Sequence, residues 1–487
     1  MSAVITEENN LNRDKYHEIL KVSLLSAIFF CIIGSYSILR PLKTSIFFSI
    51  VGKEYQPLTK FISIFALIPA LLLYAKLIDK LKRYQVVYLF FFLYAGLSVL
   101  FAYLLTNSTI GLPNTNTSVN RIFGWIFYLF VDLFSPLIVS TFWAFVNSIY
   151  IPNKAQKNYG IIVAVSRVGG ILTTGFSWLL INQTSLASFN TIPILTAIPA
   201  ILLIAAGFLL KGMKKIPKEH LIGYEEQHSK EQNLSKKEKT GILEGLQLMF
   251  KQPYVFGIFG LVYSFEIISV IFDYQMQVLI SIANNNELGG MTSYMLLYTG
   301  SFQVLALIFA IFGTSRLLKS IGTKKSLLLP PIATIILILS LLFHPGLITI
   351  FIVMVVLRAL HYGFNTPVRE ILYIPTTKDI KFKSKSWIDS FGRTLSKTSG
   401  STFNWFAQSP NYLSIIRLDS LFCLGIVGVW GVISFLVGKK YEITVDSGEI
   451  IGQRRELKPA QKAEEPTIQK NQIETDIAKP SYTAKTK

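Results

Sequence analysis

The stretch 149-IYIPNKAQKNYGIIVAVSRVGG-170 has a counterpart, 372-LYIPTTKDIKFKSKSWIDSFGRTLSKTSGS-401, and reading the two together decides the fold. Each begins where an apolar run ends, with an aliphatic residue, Tyr, Ile and Pro. A lysine follows (Lys154, Lys378), then an arginine inside the next run (Arg167, Arg393), then small residues: Gly169, Gly170 and Gly175 in one copy, Ser399, Gly400 and Ser401 in the other. The offset between the copies equals six apolar runs, so both copies point the same way. The spacing predicts two parallel halves of six helices each.

A bilayer-spanning helix needs about 20 mostly apolar residues. On that criterion spans fall near 22–39, 57–78, 84–106, 121–149, 159–181 and 191–210, and then near 254–283, 291–313, 326–343, 347–374, 387–408 and 414–438. Alternate loops carry the positive charge: Lys76, Lys80, Lys82 and Arg83, then Lys154 and Lys157, then Arg316, Lys319, Lys324 and Lys325, then Lys378, Lys381, Lys383 and Lys385. The loops between them are almost free of it. Basic loops face the cytoplasm, which places both termini there. The chain divides into a cytoplasmic segment 1–21, an N-terminal half 22–210, a cytoplasmic linker 211–252, a C-terminal half 253–438 and a polar tail 439–487 that reads as disordered.

Composition agrees. Of 487 residues, 51% are apolar and only 15% charged, against about a quarter charged in soluble proteins. The fold class expected is therefore an all-α polytopic membrane protein, with the lipid bilayer as its surroundings. A net charge of +19 follows from the basic loops, and no nucleic-acid partner is implied. Cys31 and Cys423 lie far apart in apolar runs and predict no disulfide. Glu7, Glu8, Asp14 and Glu18 precede the first run, which argues against a cleaved leader.

Charges inside the apolar runs carry the functional reading. Arg40, Lys43, Arg167, Arg358, Arg369, Arg393 and Lys397 all interrupt them. Each would cost about 2.5–3.5 kcal/mol facing lipid at mid-membrane, roughly 20 kcal/mol together. Burial of that kind predicts a shared hydrated interior suited to an anionic solute. Arg40 and Lys43, three apart, share a helix face and read either as a fork for phosphate oxygens or, for Lys43, as a side chain snorkelling to an interface; Arg393 and Lys397, four apart, share a face in the same way. Asp132, Glu266 and Asp273 are acids among apolar neighbours; they pair with the bases, bind a proton or touch a ribose hydroxyl. Arg369 beside Glu370 reads either as a gate salt bridge or as a helix-end ion pair. Neither phosphate-loop, nucleophile-elbow, zinc-protease nor cysteine-metal motifs occur, so neither an enzyme nor a cofactor is expected.

The turn 75-AKLIDKLKR-83 resembles the motif that major facilitator carriers place between their second and third spans. Four further segments resemble the ATP/ADP translocases (nucleotide transporters) of obligate intracellular bacteria, plastids and microsporidia: 38-ILRPLKTSIFFSIVGKEYQPLTKF-61, 127-FYLFVDLFSPLIVSTFWAFVN-147, 322-GTKKSLLLPPI-332 and 369-REILYIPTTKDIKFKSKSWIDSFGRTLSKTSGS-401. The resemblance implies nucleotide-binding roles for Lys43, Glu266, Arg369, Glu370, Arg393 and Lys397. It departs at Thr44, where the family has an acid, at Ser396, where it has a glycine, and after Glu266, where Asp273-Tyr274-Gln275 replaces a lysine-bearing segment.

The expectation is a carrier that works by alternating access as a monomer. Arg40, Lys43, Asp132, Arg167, Glu266, Asp273, Arg369, Glu370, Arg393 and Lys397 form its substrate site. The substrates implied are ATP and ADP, with phosphate or other nucleoside triphosphates as alternatives. The rival expectations are a proton-coupled carrier of another nucleotide, NAD or another phosphorylated anion, and a non-transporting scaffold that acts through the basic tail.

Overall fold

Backbone groups inside a bilayer find no water to bond, so apolar runs of this length close their hydrogen bonds within helices. A computed structural model describes residues 2–149, 152–183, 188–217, 221, 244–377, 380–408 and 411–452. Among the described residues, twelve helices account for the membrane region. The N-terminal six are α1 (Ser2–Ile50), α2 (Leu58–Lys80), α3 (Arg83–Leu105), α4 (Ile122–Ile149), α5 (Pro152–Gln183) and α6 (Ser188–Gly212). The C-terminal six are α7 (Pro253–Ala283), α8 (Leu288–Ile308), α9 (Thr314–Phe343), α10 (Leu347–Ile371), α11 (an interrupted helix that ends as Arg393–Phe406) and α12 (Tyr412–Ser447). Ten of these are long and apolar enough to cross a membrane. The other two are α2, whose apolar part is Leu58–Tyr74, and the polar α11.

The repeat read from 149–170 and 372–401 is visible in the packing. Helix α1 packs on α5 and α6 as α7 packs on α11 and α12, and α3 packs on α6 as α9 packs on α12. Between the halves α5 meets α8, and α2 meets α11, which are equivalent contacts under the same repeat. Close approach at the first of these junctions depends on Gly170. A methyl group there would collide with the side-chain amide of Gln303, which donates a hydrogen bond of 3.1 Å to Ser37 Oγ.

Several boundaries differ from the sequence expectation. The first span does not stop at 39: α1 runs through Arg40, Pro41 and Lys43 to Ile50, so both cations ride on a rigid helix. Helix α8 leads through a wide π-helical turn (Phe309–Gly313) directly into α9, whose kink lies at Gly322 (φ 76°, ψ 170°). The last helix continues to Ser447 instead of ending at 438. Past it, Ile451 N–H donates to Pro375 O at 2.8 Å and Thr377 N–H donates to Ile451 O at 3.0 Å, so residues placed in the tail pair with the α10–α11 connection. Residues 453–487 and most of the linker, 218–220 and 222–243, lie outside the described residues.

Candidate functional site

The residues facing the junction of the halves are polar where the outer surfaces are apolar. In the N-terminal half, Lys43 Nζ on α1 lies 2.6 Å from Asp132 Oδ1 on α4. Lys60 Nζ, one turn into α2, reaches the same oxygen at 3.3 Å. Both ammonium groups also lie over the Tyr128 ring, at 4.4 and 5.2 Å, an arrangement that stabilises a cation by the ring quadrupole. Directly after Asp132, Ser135–Val139 forms a π-helical turn containing Pro136. A proline lacks the N–H that an α-turn needs, and such wide turns mark functional sites in helices.

Two N-terminal arginines reach across to the other half. Arg167 on α5 lies 4.7 Å over the ring of Tyr362 on α10. Arg40 lies 5.5 Å over Phe302 on α8 and has Arg358, Tyr298, Tyr362 and Asp273 as its electrostatic neighbours.

The C-terminal half supplies the larger share. Arg358 Nη2 stands 3.9 Å from Asp273 Oδ2, and Gln277 Nε2 donates to that oxygen at 3.0 Å. Asp389 Oδ1 is shared by Arg369 Nη2 at 3.2 Å and Arg393 Nη2 at 3.5 Å. Glu266 is buried, has no hydrogen-bond partner at Oε2, and is surrounded electrostatically by Lys397, Arg393, Arg358 and Arg369. His361 stacks on Phe265 at 4.0 Å and faces the same four cations. Lys397 in turn has Lys60 and Asp132 of the other half among its neighbours. The bases therefore belong to one environment and are not paired off separately.

That environment keeps access to water. Asp132, Arg393 and Asp389 retain 21%, 29% and 33% of side-chain exposure although they lie within spans. Further π-helical turns shape its wall: His361–Asn365 in α10, and Ile380–Ser384 and Ile388–Gly392 in α11. These widen the helices just where Tyr362, Asp389 and Arg393 are presented.

Of the ten residues expected at the site, nine converge. Glu370 stands apart. It is exposed at the end of α10 nearest the lysine-rich loops and pairs with Lys385, not with Arg369. Lys60, Tyr128, Tyr298 and Tyr362 were missed, and Asp389, a charge inside the eleventh span, was left out of the expected set. The available signal for Lys60 was Pro57-Leu58-Thr59-Lys60, a cation one turn inside a proline-started span.

Two six-helix halves with a shared cluster of cations between them define a membrane protein of the major facilitator architecture. Solved structures agree on the fold. A bacterial homologue of the iron transporter ferroportin in its inward-facing state superposes with a TM-score of 0.61 at 14% identity over 86% of this chain and 98% of that one. A single-substitution mutant of the nucleoside transporter NupG gives 0.54 at 14% over 87% and 99%, and the transporter FucP in its outward conformation 0.51 at 13% over 87% and 99%. The chain belongs to the TLC ATP/ADP transporter family, whose model matches residues 10–354. Relatives include ADP,ATP carrier protein 4 of Rickettsia conorii, 24% identical over 80% of this chain and 84% of that protein. ADP,ATP carrier protein 1 of Rickettsia typhi is 22% identical over 89% and 95%. The chain is thus a multi-pass membrane transporter and not an enzyme.

Proposed function

We propose that this carrier exchanges ATP for ADP across the bacterial inner membrane by alternating access, acting as a monomer with both termini cytoplasmic. The observation that carries the reading is the electrostatic continuity of the chamber. Eight cations, Arg40, Lys43, Lys60, Arg167, Arg358, Arg369, Arg393 and Lys397, face four carboxylates, Asp132, Glu266, Asp273 and Asp389. The excess is comparable to the charge of a nucleoside triphosphate. Arginine forks bind phosphate oxygens bidentately, and lysines act as point charges.

Hydrogen bonds tie the halves at the face opposite the lysine-rich loops. Tyr274 Oη donates to Lys53 O at 3.4 Å, Gln408 Nε2 to Glu54 O at 2.8 Å and Ser401 Oγ to Pro57 O at 2.9 Å. Asn182 Nδ2 donates to Ser293 Oγ at 2.8 Å. We read this as the state closed to the outside. Reopening requires the halves to rock about the central site, while the cations stay in place and meet the nucleotide from either side.

Coupling follows from the same charges. An empty chamber with a positive excess repels itself when it narrows, so the halves pass through the occluded state only with an anion inside. That favours exchange over the proton-coupled alternative. Uptake of labelled ATP into cells expressing the protein, with and without internal ADP, tests it. Uptake that depends on internal nucleotide is expected, and equal uptake in both conditions removes the exchange reading.

A further inference from the structure

A second recess lies outside the chamber, at the face where the halves are tied. It has a volume of about 280 Å³ and is lined from the N-terminal half by Lys53 and Glu54 and from the C-terminal half by Tyr274, Gln275, Gln408 and Tyr412. Tyr274 and Gln408 both close this face and line the recess, their donors going to backbone carbonyls. The loop after α1 turns at Gly52 with φ 122°, a conformation that side-chain-bearing residues rarely adopt. That turn carries the short 3-10 turn Lys53–Tyr55 against Tyr274 on α7 and Gln408 just past α11. The bonds that close the face use only backbone carbonyls of Lys53 and Glu54, so the side chains of these two residues remain free to line the recess.

We propose that this recess is an outer recognition site for the nucleoside part of a nucleotide, occupied before the chamber opens. Four observations support it. Tyr274 and Tyr412 supply two aromatic rings, and stacking on a ring is the base-tolerant way to hold a nucleobase. Gln408, one amide hydrogen of which goes to the Glu54 carbonyl, and Gln275, beside Asp419, supply amides, the groups that pair with the donor and acceptor edge of adenine. The volume is at the lower end of the ~300–1,000 Å³ usual for ligand pockets, enough for a base and sugar but not for a whole triphosphate. One ammonium and one carboxylate leave the lining without net charge, unlike the chamber, so it selects for the uncharged portion of the ligand. Lys53 Nζ, 5.8 Å over the Tyr412 ring, is placed for the first phosphate of a base stacked there.

The proposal rests on the nucleotide reading given above, and its test separates the two. If the unsubstituted protein takes up no labelled ATP, the nucleotide reading fails first. If it does, half-saturation is measured from each side: ATP uptake from outside, and efflux of preloaded label from inside against saturating external ATP. Tyr412→Ala is expected to raise the external value about tenfold or more, the loss of one base–aromatic stack, with the internal value and the maximal rate unchanged. Tyr412→Phe, which keeps the ring, restores the external value. A shift on both sides, or a change in maximal rate alone, overturns the proposal and makes Tyr412 part of the gate. A second measurement needs no variant. Adenosine added outside is expected to compete with ATP uptake, while adenosine inside leaves efflux unaffected. Equal inhibition from both sides, or none from outside, also overturns the outer site.

Discussion

The Lys43 ammonium and the Asp132 carboxylate meet at 2.6 Å between α1 and α4, and Lys60 on α2 competes for the same oxygen at 3.3 Å. One acid on α4 thus holds two bases from two other helices. Asp132→Asn leaves both ammonium groups facing each other without an anion. Breaking a buried pair costs about 3–5 kcal/mol, and the 21% exposure of Asp132 puts this one at the lower end. The purified variant should melt several degrees lower, and ATP should raise its Tm by more than it raises that of the native protein, because bound phosphate replaces the missing carboxylate. An ATP shift no larger than the native one would show that the trio is structural.

The exchange requirement should weaken as the chamber loses charge. Arg393→Gln and Lys397→Gln each remove one cation from around Glu266. Each is expected to lower ATP affinity and to raise the ratio of uptake without internal ADP to uptake with it. Glu266→Gln should move that ratio the other way, since it increases the positive excess. Labelled uptake in loaded and unloaded cells reads all three, and ratios that do not move would break the link between charge and coupling.

Gln408, just past the end of α11, is tied to the Glu54 carbonyl at 2.8 Å. A hydrogen bond of this kind is worth about 1 kcal/mol net, so Gln408→Ala should shift the equilibrium between outward-closed and outward-open forms about fivefold. A membrane-impermeant thiol reagent applied outside should then label Lys397→Cys faster. Background labelling is low because Cys31 and Cys423 are both buried.

A Cβ at Gly170 would fall on the side-chain amide of Gln303 where α5 crosses α8. Gly170→Ala should destabilise the protein by about 1–3 kcal/mol through overpacking. Gln303→Ala on its own loses the bond to Ser37. The double substitution should recover part of the first loss, giving a coupling energy in a double-mutant cycle. Strict additivity in Tm or denaturant midpoint would place the two residues out of contact.

Much of the architecture was legible because membrane helices declare themselves by apolar length, and because Tyr-Ile-Pro with its following cation occurs once in each half. The chamber was legible for a related reason: Arg167 or Arg393 in an apolar run has few other places to go. Lys60 escaped notice because, so near a helix start, it reads as an interfacial lysine, and only folding shows it turned inward to Asp132. Glu370 was misplaced for the opposite reason. Adjacent residues on a helix do not face each other, so Arg369 points into the chamber while Glu370 points to Lys385. The extension of α12 and the pairing of Ile451 with Pro375 and Thr377 follow no local hydrophobic signal and could not be read from composition.

The wide turns at His361–Asn365 and Ile388–Gly392 each store one residue more than an α-turn holds. Such a surplus is portable. Handing it along the helix by a turn revolves every side chain it passes by about 100°, the angular step of one residue, without melting the ladder on either side. Helices α10 and α11 can thereby re-aim Tyr362, Asp389 or Arg393 like beads slid along a wire, a freedom separate from any movement of one half against the other.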